Sequence, residues 1–499
     1  VHCHAGWDEP VEWRANTPEG KYAPVDFYGG TLRGIADRLH YLQKLGVTVL
    51  YLNPIFESAS NHRYDTGDYR KVDPILGTNA DFKKLCAAAA DCGIRIVLDG
   101  VFAHTGADSR YFNRFRHYPG CGAYNSHSSV YARWYSFAHY PDDYKCWWDF
   151  KDLPAVNAAN PDWRKYMITG ERSIVKTWLR DGASGWRLDV ADELPDDVLR
   201  GMRSAAKETD PDSVLLGEVW EDAVTKVSYG ERRQYALGDA LDSVMNYPLR
   251  DGLVAFLTGR STARALADLL LSQRLNYPRP LYYALMNLTA SHDVARTRSA
   301  LALDFDPRSR TRAELAALEI TDAMAARGAQ LQVLAAAVQF WLPGIPSIYY
   351  GDETGMQGLC DPFNRAPLQM CDTQMLQWYA QLTALRHAHP ALTRGEIAVF
   401  APAGDVLCVL RVIADGRDAF GEEAEDEALL LIVNRAAHPV RCHVELTCPG
   451  AGLCEETRLA FVRSEYDCAA DCTDDTHIAI HDGVGAFDLP AHDMDARRV

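Results

Sequence analysis

The fold of this chain is decided by one stretch, Gly185-Trp186-Arg187-Leu188-Asp189-Val190-Ala191-Asp192-Glu193. On an extended strand, residues two apart share a face, so Arg187 and Asp189 point to the same side. A cation beside a carboxylate keeps it ionised, and an ionised carboxylate is what a covalent nucleophile needs. Taken alone, such a pair is more often structural than catalytic. The interpretation of Asp189 as catalytic therefore depends on the rest of the chain.

Helical and strand-like segments alternate on both sides of this stretch. Upstream, β-rich apolar runs are found at residues 47–52 and 94–99. A helix is predicted over residues 161–180, with Asn160 as its N-cap and Pro161 at its first position. Further strands are predicted downstream, at residues 214–218, 241–246, 283–290 and 345–350. This series predicts an α/β fold, either a parallel barrel or a doubly wound sheet.

Two regions depart from the alternation. Residues 105–160 are rich in aromatic residues, glycine and proline but have no long period, which predicts an inserted, loop-rich subdomain. From residue 391 to residue 499, alternating apolar runs separated by turn residues predict a C-terminal antiparallel β-sandwich domain. The catalytic barrel would then comprise residues 1–104 and 161–390.

Composition limits the partners and the compartment. The 499 residues carry a formal net charge of -17, which argues against nucleic acid and against an anionic membrane as partners. No signal-peptide pattern and no apolar run of about 18 residues is visible. The 13 cysteines are mostly scattered, as suits reduced thiols, so we expect a cytoplasmic protein. The cysteines of the tail lack zinc-site spacing and are interpreted as structural. The oligomeric state cannot be read from the sequence.

Acidic or histidine residues lie at or just after the ends of several predicted strands, where a β/α barrel keeps its active site. In chain order they are Asp99, His104, Asp189, Glu218, His292 and Asp293. Any one of them could be a helix cap or a loop charge, but the repeated placement favours a site. Two carboxylates on neighbouring strands, Asp189 held ionised by Arg187 and Glu218 free to be protonated, form the pair that glycosidic bond cleavage requires.

Four blocks around these residues resemble the α-amylase family of glycoside hydrolases, family 13, and occur in the family's order. They are Asp99-Gly100-Val101-Phe102-Ala103-His104, residues 185–189, Gly217-Glu218-Val219-Trp220 and Ser291-His292-Asp293. Other features are similar to the neopullulanase, cyclomaltodextrinase and amylopullulanase group. These are Asp152-Leu153-Pro154-Ala155-Val156-Asn157, Asp242-Ser243-Val244-Met245-Asn246-Tyr247-Pro248, and Asp361-Pro362 with Arg365.

The resemblance implies a (β/α)8 TIM barrel and a retaining mechanism on α-glucans, without a cofactor. Asp189 would be the nucleophile, Glu218 the general acid and base, and Asp293 a third carboxylate that binds sugar hydroxyls. The substrate-binding residues that it implies are Tyr64, His104, Arg187, His292, Asp361 and Arg365. Trp134, Trp147 and Trp148 of the insertion would form a wall of the cleft, with burial in a small core as the alternative.

Two positions and the number of strands depart from the family pattern. Ala103 stands where the family usually has Asn, so we expect no calcium at the family's common site, which leaves calcium elsewhere open. Asp192 stands where neopullulanase-like members usually have Asn, and its charge could alter the pKa of the acid or the substrate preference. Only seven strands can be counted from Val47 onwards, so we expect the first barrel strand to be missing or truncated.

The leading hypothesis is a hydrolase that cuts α-1,4 glucosidic bonds, with α-1,6 bonds as a second candidate, in maltodextrin, pullulan, cyclodextrin or starch. A 4-α-glucanotransferase would share all the carboxylates, so it stays open as an alternative. A non-catalytic glucan-binding relative is the second alternative. It would typically lack a catalytic carboxylate, whereas this chain has Asp189, Glu218 and Asp293.

Overall fold

A computed structural model describes most of the chain. The described residues are 2–3, 24, 26–27, 29–438, 440–445, 460–462, 484–489 and 494–498, with backbone alone beyond residue 440. They form two compact units, which divide between Met245 and Asn246. The side chains of the tail cysteines, and the region before residue 24 in which the first barrel strand is sought, lie almost wholly outside these residues. Within them, His2–Cys3 pairs in parallel with Asp26–Phe27.

The first unit is organised around a five-stranded parallel sheet whose strands pair in chain order. The strands are β1 (Val49–Leu52), β2 (Arg95–Gly100), β3 (Gly185–Leu188), β4 (Val214–Gly217) and β5 (Ser243–Val244). Parallel neighbours need a crossover connection, so this order confirms the predicted alternation. β5 is shorter than the predicted strand over residues 241–246.

Helices connect these strands. They are Leu32–Ala36, Leu39–Lys44, Asn79–Asp91, Pro161–Arg164, Ile174–Arg180 and Asp196–Thr209. Asn160 caps its helix as predicted, because its side chain accepts hydrogen bonds from the next two free backbone N–H groups. The single helix predicted over residues 161–180 is wrong. A π-helical turn, Lys165–Thr169, leads into extended Gly170, and Ser173 caps a new helix.

Strand β3 is buried along its whole length, with its two faces used differently. Trp186 and Leu188 lie on the face opposite Arg187, as period-two alternation predicts, and both are fully buried. The Trp186 ring packs 5.3 Å from the Phe102 ring and 6.2 Å from the Phe56 ring, measured between centroids. This aromatic packing leaves the other face of the strand for Arg187 and Asp189.

The insertion contains only short elements, as predicted. They are the turns Ala132–Trp134 and Trp147–Asp149 and the strands Phe137–His139 and Asp143–Tyr144. Trp134 is 3% exposed and stacks on Tyr111, so burial is the correct alternative for this tryptophan. Trp148 is 74% exposed and is not part of a core.

The second unit contains two parallel strands, β6 (Met286–Leu288) and β7 (Ile345–Ser347), which pair with each other. With β1–β5 they make up the seven strands counted from Val47. Both are shorter than predicted, and a short helix, Arg279–Tyr282, ends just where strand was expected to begin. The remaining helices are Tyr247–Leu257, Ala263–Asn276, Thr297–Ala302, Arg312–Ala316, Asp322–Trp341, Thr373–Ala388 and Pro390–Arg394.

An antiparallel sheet follows, as predicted for the C-terminal part of the chain. Its strands are β8 (Glu396–Ala403), β9 (Val406–Ile413), β10 (Glu427–Asn434), β11 (Ala460–Val462) and β12 (Met494–Arg498), in the order β8-β9-β10-β12-β11. A second pair joins Val440–Glu445 to Val484–Leu489. Among the helices of the described ranges, none has the length and apolar character needed to cross a bilayer.

Gly185 offers a test of the packing at the start of β3. A Cβ added there would overlap the main-chain oxygen of Val214 on β4 and come within 2.6 Å of its Cγ2 atom. We expect Gly185→Ala to lower the free energy of unfolding by about 1–3 kcal/mol, because the two strands must separate. Urea unfolding measures the effect. Gly404→Ala is the control, since no atom lies within 4 Å of its added Cβ. Equal stability of both variants would contradict the strand register.

Candidate active site

Arg187 contacts three carboxylates at the carboxyl ends of three adjacent strands. Its Nη1 atom donates to Asp99 Oδ1 at 3.0 Å and to Asp189 Oδ1 at 2.8 Å. Its Nη2 atom lies 2.9 Å from Glu218 Oε2. Arg187 is completely buried, so water does not screen these ion pairs. The predicted pairing of Arg187 with Asp189 is present. The prediction that Arg187 would face Asp189 and leave Glu218 free is wrong, because Glu218 contacts the same guanidinium.

The sequence analysis noted Asp99 only as a residue at the end of a strand and missed its ion pair with Arg187. The parallel register places it directly opposite Arg187. Its carboxylate also accepts hydrogen bonds from the hydroxyl groups of Tyr51, at 2.7 Å, and Tyr64, at 2.9 Å. Asp99 is 1% exposed, so this carboxylate serves Arg187 and the tyrosines. The sequence signal was available: Asp99 ends the strand next to β3.

Glu218 is held from two sides. The backbone N–H of Val190 donates to its Oε2 atom at 2.8 Å, and the indole N–H of Trp220 donates to Oε1 at 2.9 Å. Val190 adopts a left-handed conformation, φ 40° and ψ 60°, which is strained for a β-branched residue. That conformation turns its N–H toward Glu218. Strain at the residue after Asp189 therefore fixes the orientation of the second candidate catalytic carboxylate.

Burial shifts the proton affinities of this group. It raises the pKa of the Asp189 carboxyl well above its usual range; Arg187 opposes the shift, while Glu218 and Asp99 add to it. Burial likewise raises the pKa of Asp99. One guanidinium faces three carboxylates, so its single positive charge cannot fully compensate them. Arg187 favours the ionised form of Asp189, as the sequence predicted, but it does so against a larger effect of burial.

His104 and Tyr64 lie on the same side of the group as Asp99. The Nε2 atom of His104 lies 3.0 Å from the backbone oxygen of Tyr64. Burial lowers the pKa of His104 to about 4, so the ring is neutral near pH 7 and Nε2 is the donor. His104 is 2% exposed, whereas Tyr64 is half-buried. Direct contact of either residue with sugar remains a prediction.

The Asp192 carboxylate is paired with a lysine and a tyrosine. Its Oδ2 atom lies 2.9 Å from Lys226 Nζ, and its Oδ1 atom accepts a hydrogen bond from the Tyr235 hydroxyl at 2.5 Å. Lys226 is 13% exposed in its side chain, which leaves the pair only partly screened. Lys226 Nζ also lies 2.5 Å from Glu221 Oε2, so one ammonium group faces two carboxylates. Asp192 anchors the loop that follows β4.

In the second unit, four of the predicted residues lie together. His292 Nε2 is 3.2 Å from Asp293 Oδ2, and Arg365 donates to the backbone oxygen of His292 at 3.0 Å. Arg365 Nη1 lies 3.2 Å from Asp361 Oδ1. Sequence reasoning missed Arg312, whose Nη2 atom is 3.1 Å from Asp361 Oδ2.

Asp293 is also contacted by Tyr247, whose hydroxyl lies 3.3 Å from Asp293 Oδ2. Tyr247 was quoted in the sequence only as part of a group resemblance. The Arg365 Nη2 atom is 4.0 Å from Asp293 Oδ1. These contacts hold the carboxylate from two sides, and its side chain remains 27% exposed. Asp293 is thus placed to bind a polar ligand.

No group of three or more His, Cys, Asp or Glu side chains with the arrangement of a metal site is found in the part of the chain that the structure describes. Ala103, where the family usually supplies an Asn ligand, is buried and offers no side-chain oxygen. The prediction of no calcium at this position is not tested by these observations.

Carboxylates gathered on a buried arginine at the carboxyl ends of parallel strands occupy the place where a β/α barrel keeps its active site. Residues 10–370 match the α-amylase family, catalytic domain. The chain belongs to the α-amylase family.

The curated relatives carry the names of enzymes that act on carbohydrates. An amylopullulanase from Thermoanaerobacterium saccharolyticum is 37% identical over 454 residues, which cover 85% of this chain and 34% of that protein. A cyclomaltodextrinase from a Bacillus species is 30% identical over 449 residues, covering 86% of this chain and 71% of that protein. The chain thus spans about a third of the length of the amylopullulanase and most of the cyclomaltodextrinase.

Solved structures are similar over nearly the whole chain. A cyclic α-maltosyl-(1→6)-maltose hydrolase from Arthrobacter globiformis has a TM-score of 0.72 at 26% identity, covering 100% of this chain and 98% of that one. A debranching enzyme from Nostoc punctiforme has a TM-score of 0.74 at 26% identity, covering 99% and 92%. With the family match, these similarities confirm the predicted TIM-barrel fold class with its C-terminal antiparallel sheet.

The raised pKa of Asp189 predicts how the activity depends on pH. A nucleophile must be ionised, so activity should fall as pH falls through the raised pKa of Asp189. We expect the acid limb of kcat/KM to lie above pH 3.9, about the ordinary pKa of Asp. Because the charge of Asp99 raises the pKa of Asp189, Asp99→Asn should move that limb to lower pH. The measurement is kcat/KM against pH on a chromogenic maltoside.

Asp192→Asn is the matched control for this experiment. Its carboxylate is already paired with Lys226, so its loss should leave the acid limb in place. An acid limb that moves upward in Asp99→Asn, or that moves equally in both variants, would contradict the assignment.

Proposed function

We propose that the protein is a retaining glycoside hydrolase that cuts α-1,4 glucosidic bonds in α-glucans. The observation that carries the proposal is the contact of Asp189 and Glu218 with the two terminal nitrogens of one buried guanidinium. This holds the two carboxyl groups close together. Inverting enzymes separate their pair by about 6.5–9.5 Å to admit water, and retaining enzymes use a shorter separation. A shared guanidinium therefore favours double displacement.

In the first step, Asp189 attacks the anomeric carbon and forms a covalent glycosyl ester. Its Oδ1 atom is held by Arg187, so Oδ2 is the attacking oxygen. Glu218 gives its proton to the glycosidic oxygen, which leaves with the reducing-side sugar. In the second step, Glu218 takes a proton from water, and the resulting oxygen attacks the anomeric carbon and releases Asp189. Glu218 regains its proton, so the cycle closes.

Asp293 is proposed to bind sugar hydroxyls as positive charge develops on the ring. Its contacts with His292 and Tyr247 support this role, because they orient the carboxylate and leave part of it exposed. Asp361 and Arg365 are proposed to bind a sugar further along the chain. Their ion pair presents both an acceptor and donors, which suits a hydroxylated ligand.

The proposed substrate class is maltodextrin, pullulan, cyclodextrin or starch, with α-1,6 bonds as a second target. The names of the relatives support this range, and one solved neighbour was captured with maltose. We also propose that the enzyme acts in the cytoplasm and without calcium at Ala103. Cys86, Cys92, Cys146 and Cys360 are free thiols, which suits a reducing compartment.

The nucleophile is tested by Asp189→Asn. We expect kcat/KM on a chromogenic maltoside to fall by about a thousandfold, or about 4 kcal/mol of transition-state stabilisation, with the thermal unfolding midpoint preserved. Glu218→Gln treated with α-maltosyl fluoride should accumulate a glycosyl ester on the peptide that carries Asp189, detected by mass spectrometry. Full activity of Asp189→Asn would refute the assignment and favour a different nucleophile.

Product analysis tests hydrolysis. The purified chain is incubated with starch, pullulan and cyclodextrin in parallel, and separately with maltotriose. We expect shorter oligosaccharides whose new reducing ends first appear as the α-anomer. Longer oligosaccharides as the main products from maltotriose would identify a 4-α-glucanotransferase instead. No cleavage of any of these glucans, with binding retained, would identify a non-catalytic relative.

A further inference from the structure

A cavity of about 770 Å³ opens in the first unit beside the insertion. Three segments line it: Arg70 in the strand Thr66–Val72, residues 127–134 of the insertion, and residues between 162 and 172. The described residues that line it include none of the catalytic or sugar-binding residues predicted from the sequence. Small-molecule sites usually have volumes of about 300–1,000 Å³, so the cavity is large enough for a ligand of its own.

The lining of this cavity is basic, although the chain as a whole is acidic. Four basic side chains line it: Arg70, Arg133, Lys165 and Arg172. Two carboxylates, Asp162 and Glu171, also line it, and Glu171 is already paired with Arg180 at 2.6 Å. Within the described ranges, the basic groups of Arg133, Lys165 and Arg172 form no ion pair. In a chain with a formal net charge of -17, this local excess of cations favours an anionic ligand.

Aromatic rings form another part of the same lining. The Trp134 ring lies 5.2 Å from the Tyr166 ring and 5.0 Å from the Tyr131 ring, measured between centroids. Trp134 is buried, whereas Tyr131 and Tyr166 are half-buried. The C–H groups on a pyranose face make that face apolar, so it packs on an aromatic ring while its hydroxyl groups stay hydrated. Rings beside unpaired cations therefore fit a ligand that joins a sugar ring to a negative charge.

The segments that line the cavity are tied to one another. Arg70 Nη2 donates to the backbone oxygen of Arg172 at 3.0 Å, and its guanidinium carbon lies 4.5 Å from the centre of the Tyr166 ring. A π-helical turn begins at Lys165 and is closed by the Gly170 N–H, which donates to the Lys165 oxygen at 2.9 Å. A Cβ at Gly170 would lie 2.5 Å from that oxygen, so the turn requires glycine. Such π turns are frequent at functional sites, and this one places Lys165 and Tyr166 on the cavity.

We propose that this cavity binds a sugar phosphate, with its phosphate on Arg133, Lys165 and Arg172 and its sugar ring against Tyr131 and Tyr166. A phosphate ester carries about -1.5 to -2 charges at pH 7, and its oxygens accept charge-assisted hydrogen bonds from guanidinium and ammonium groups. A neutral glucan lacks the group that these cations bind. The site therefore differs from the catalytic site in its ligand, and it does not depend on the proposed function.

Binding is measured by calorimetric titration at low ionic strength, where exposed cations are screened least. The probes are glucose 6-phosphate, inorganic phosphate, glucose and AMP, titrated into the whole chain. The Asp189→Asn chain is titrated with glucose 6-phosphate in the presence and absence of excess maltotriose, which shows whether the two ligands share a site.

Three variants test the lining, and a fourth is the control. Arg133→Gln and Lys165→Gln each remove one cation, and Tyr131→Leu removes a ring. Lys84→Gln is the matched control for Lys165→Gln, because the Lys84 side chain is 81% exposed and lies outside the cavity. The thermal unfolding midpoint of each variant shows that the chain has folded.

We expect glucose 6-phosphate to bind more tightly than the other three probes. Arg133→Gln and Lys165→Gln should each weaken its binding about tenfold, which corresponds to about 1.4 kcal/mol. Tyr131→Leu should weaken the binding of glucose 6-phosphate and leave that of inorganic phosphate unchanged. Lys84→Gln should match the parent, and excess maltotriose should not displace the sugar phosphate.

Several results would overturn the proposal. They are no binding of glucose 6-phosphate at millimolar concentration, displacement of it by maltotriose, and equal binding in the parent and both cation variants. Inorganic phosphate or AMP binding as tightly as glucose 6-phosphate would also reject a sugar phosphate as the ligand. None of these results depends on whether the chain cleaves glucans, so failure of the proposed function is distinguished from failure of this inference.

Discussion

The rest of the site depends on one buried positive charge shared by three carboxylates. Arg187 is fully buried, and it contacts Asp99, Asp189 and Glu218 at once. Removing Arg187 would leave three carboxylates without their common cation in a low dielectric, so the three strand ends depend on it. Burial raises the pKa of Asp189, and Arg187 opposes this shift while the charges of Glu218 and Asp99 add to it. Structure and reactivity thus follow from the same contact.

Local backbone constraints concentrate around this charge. Gly185 begins the strand where a Cβ would overlap β4, and Val190 follows the strand in a left-handed conformation. Between them, Arg187 and Asp189 project from one face while Trp186 packs on the other. The strained peptide at Val190 is stabilised by its hydrogen bond to Glu218. Strand β3 is short and is followed by a strained residue, Val190. This geometry brings Asp189 and Glu218, from different strands, into contact with one guanidinium.

The insertion is also held by backbone contacts, here with the segment that follows β2. Residues 152–156, near the end of the insertion, form backbone hydrogen bonds with residues 103–107, which follow β2 and include His104. Trp134 is buried in the insertion's own core, whereas Trp148 is displayed on a strained turn. Two of the three tryptophans that the sequence grouped together therefore differ in their exposure to solvent. Loops placed by a rigid sheet carry the parts of a site that differ between relatives.

The sequence by itself determined the alternation of strands and helices, the cap at Asn160, and the shared face of Arg187 and Asp189, because periodicity and capping are local. Tertiary structure decided the rest. Asp99 meets Arg187 across 88 residues, and Lys226 pairs with Asp192 from another loop. Extended Gly170 divides the segment over residues 161–180 that was predicted to be one helix. These contacts join side chains from segments that are distant in sequence, so they cannot be predicted from the spacing of residues along the chain.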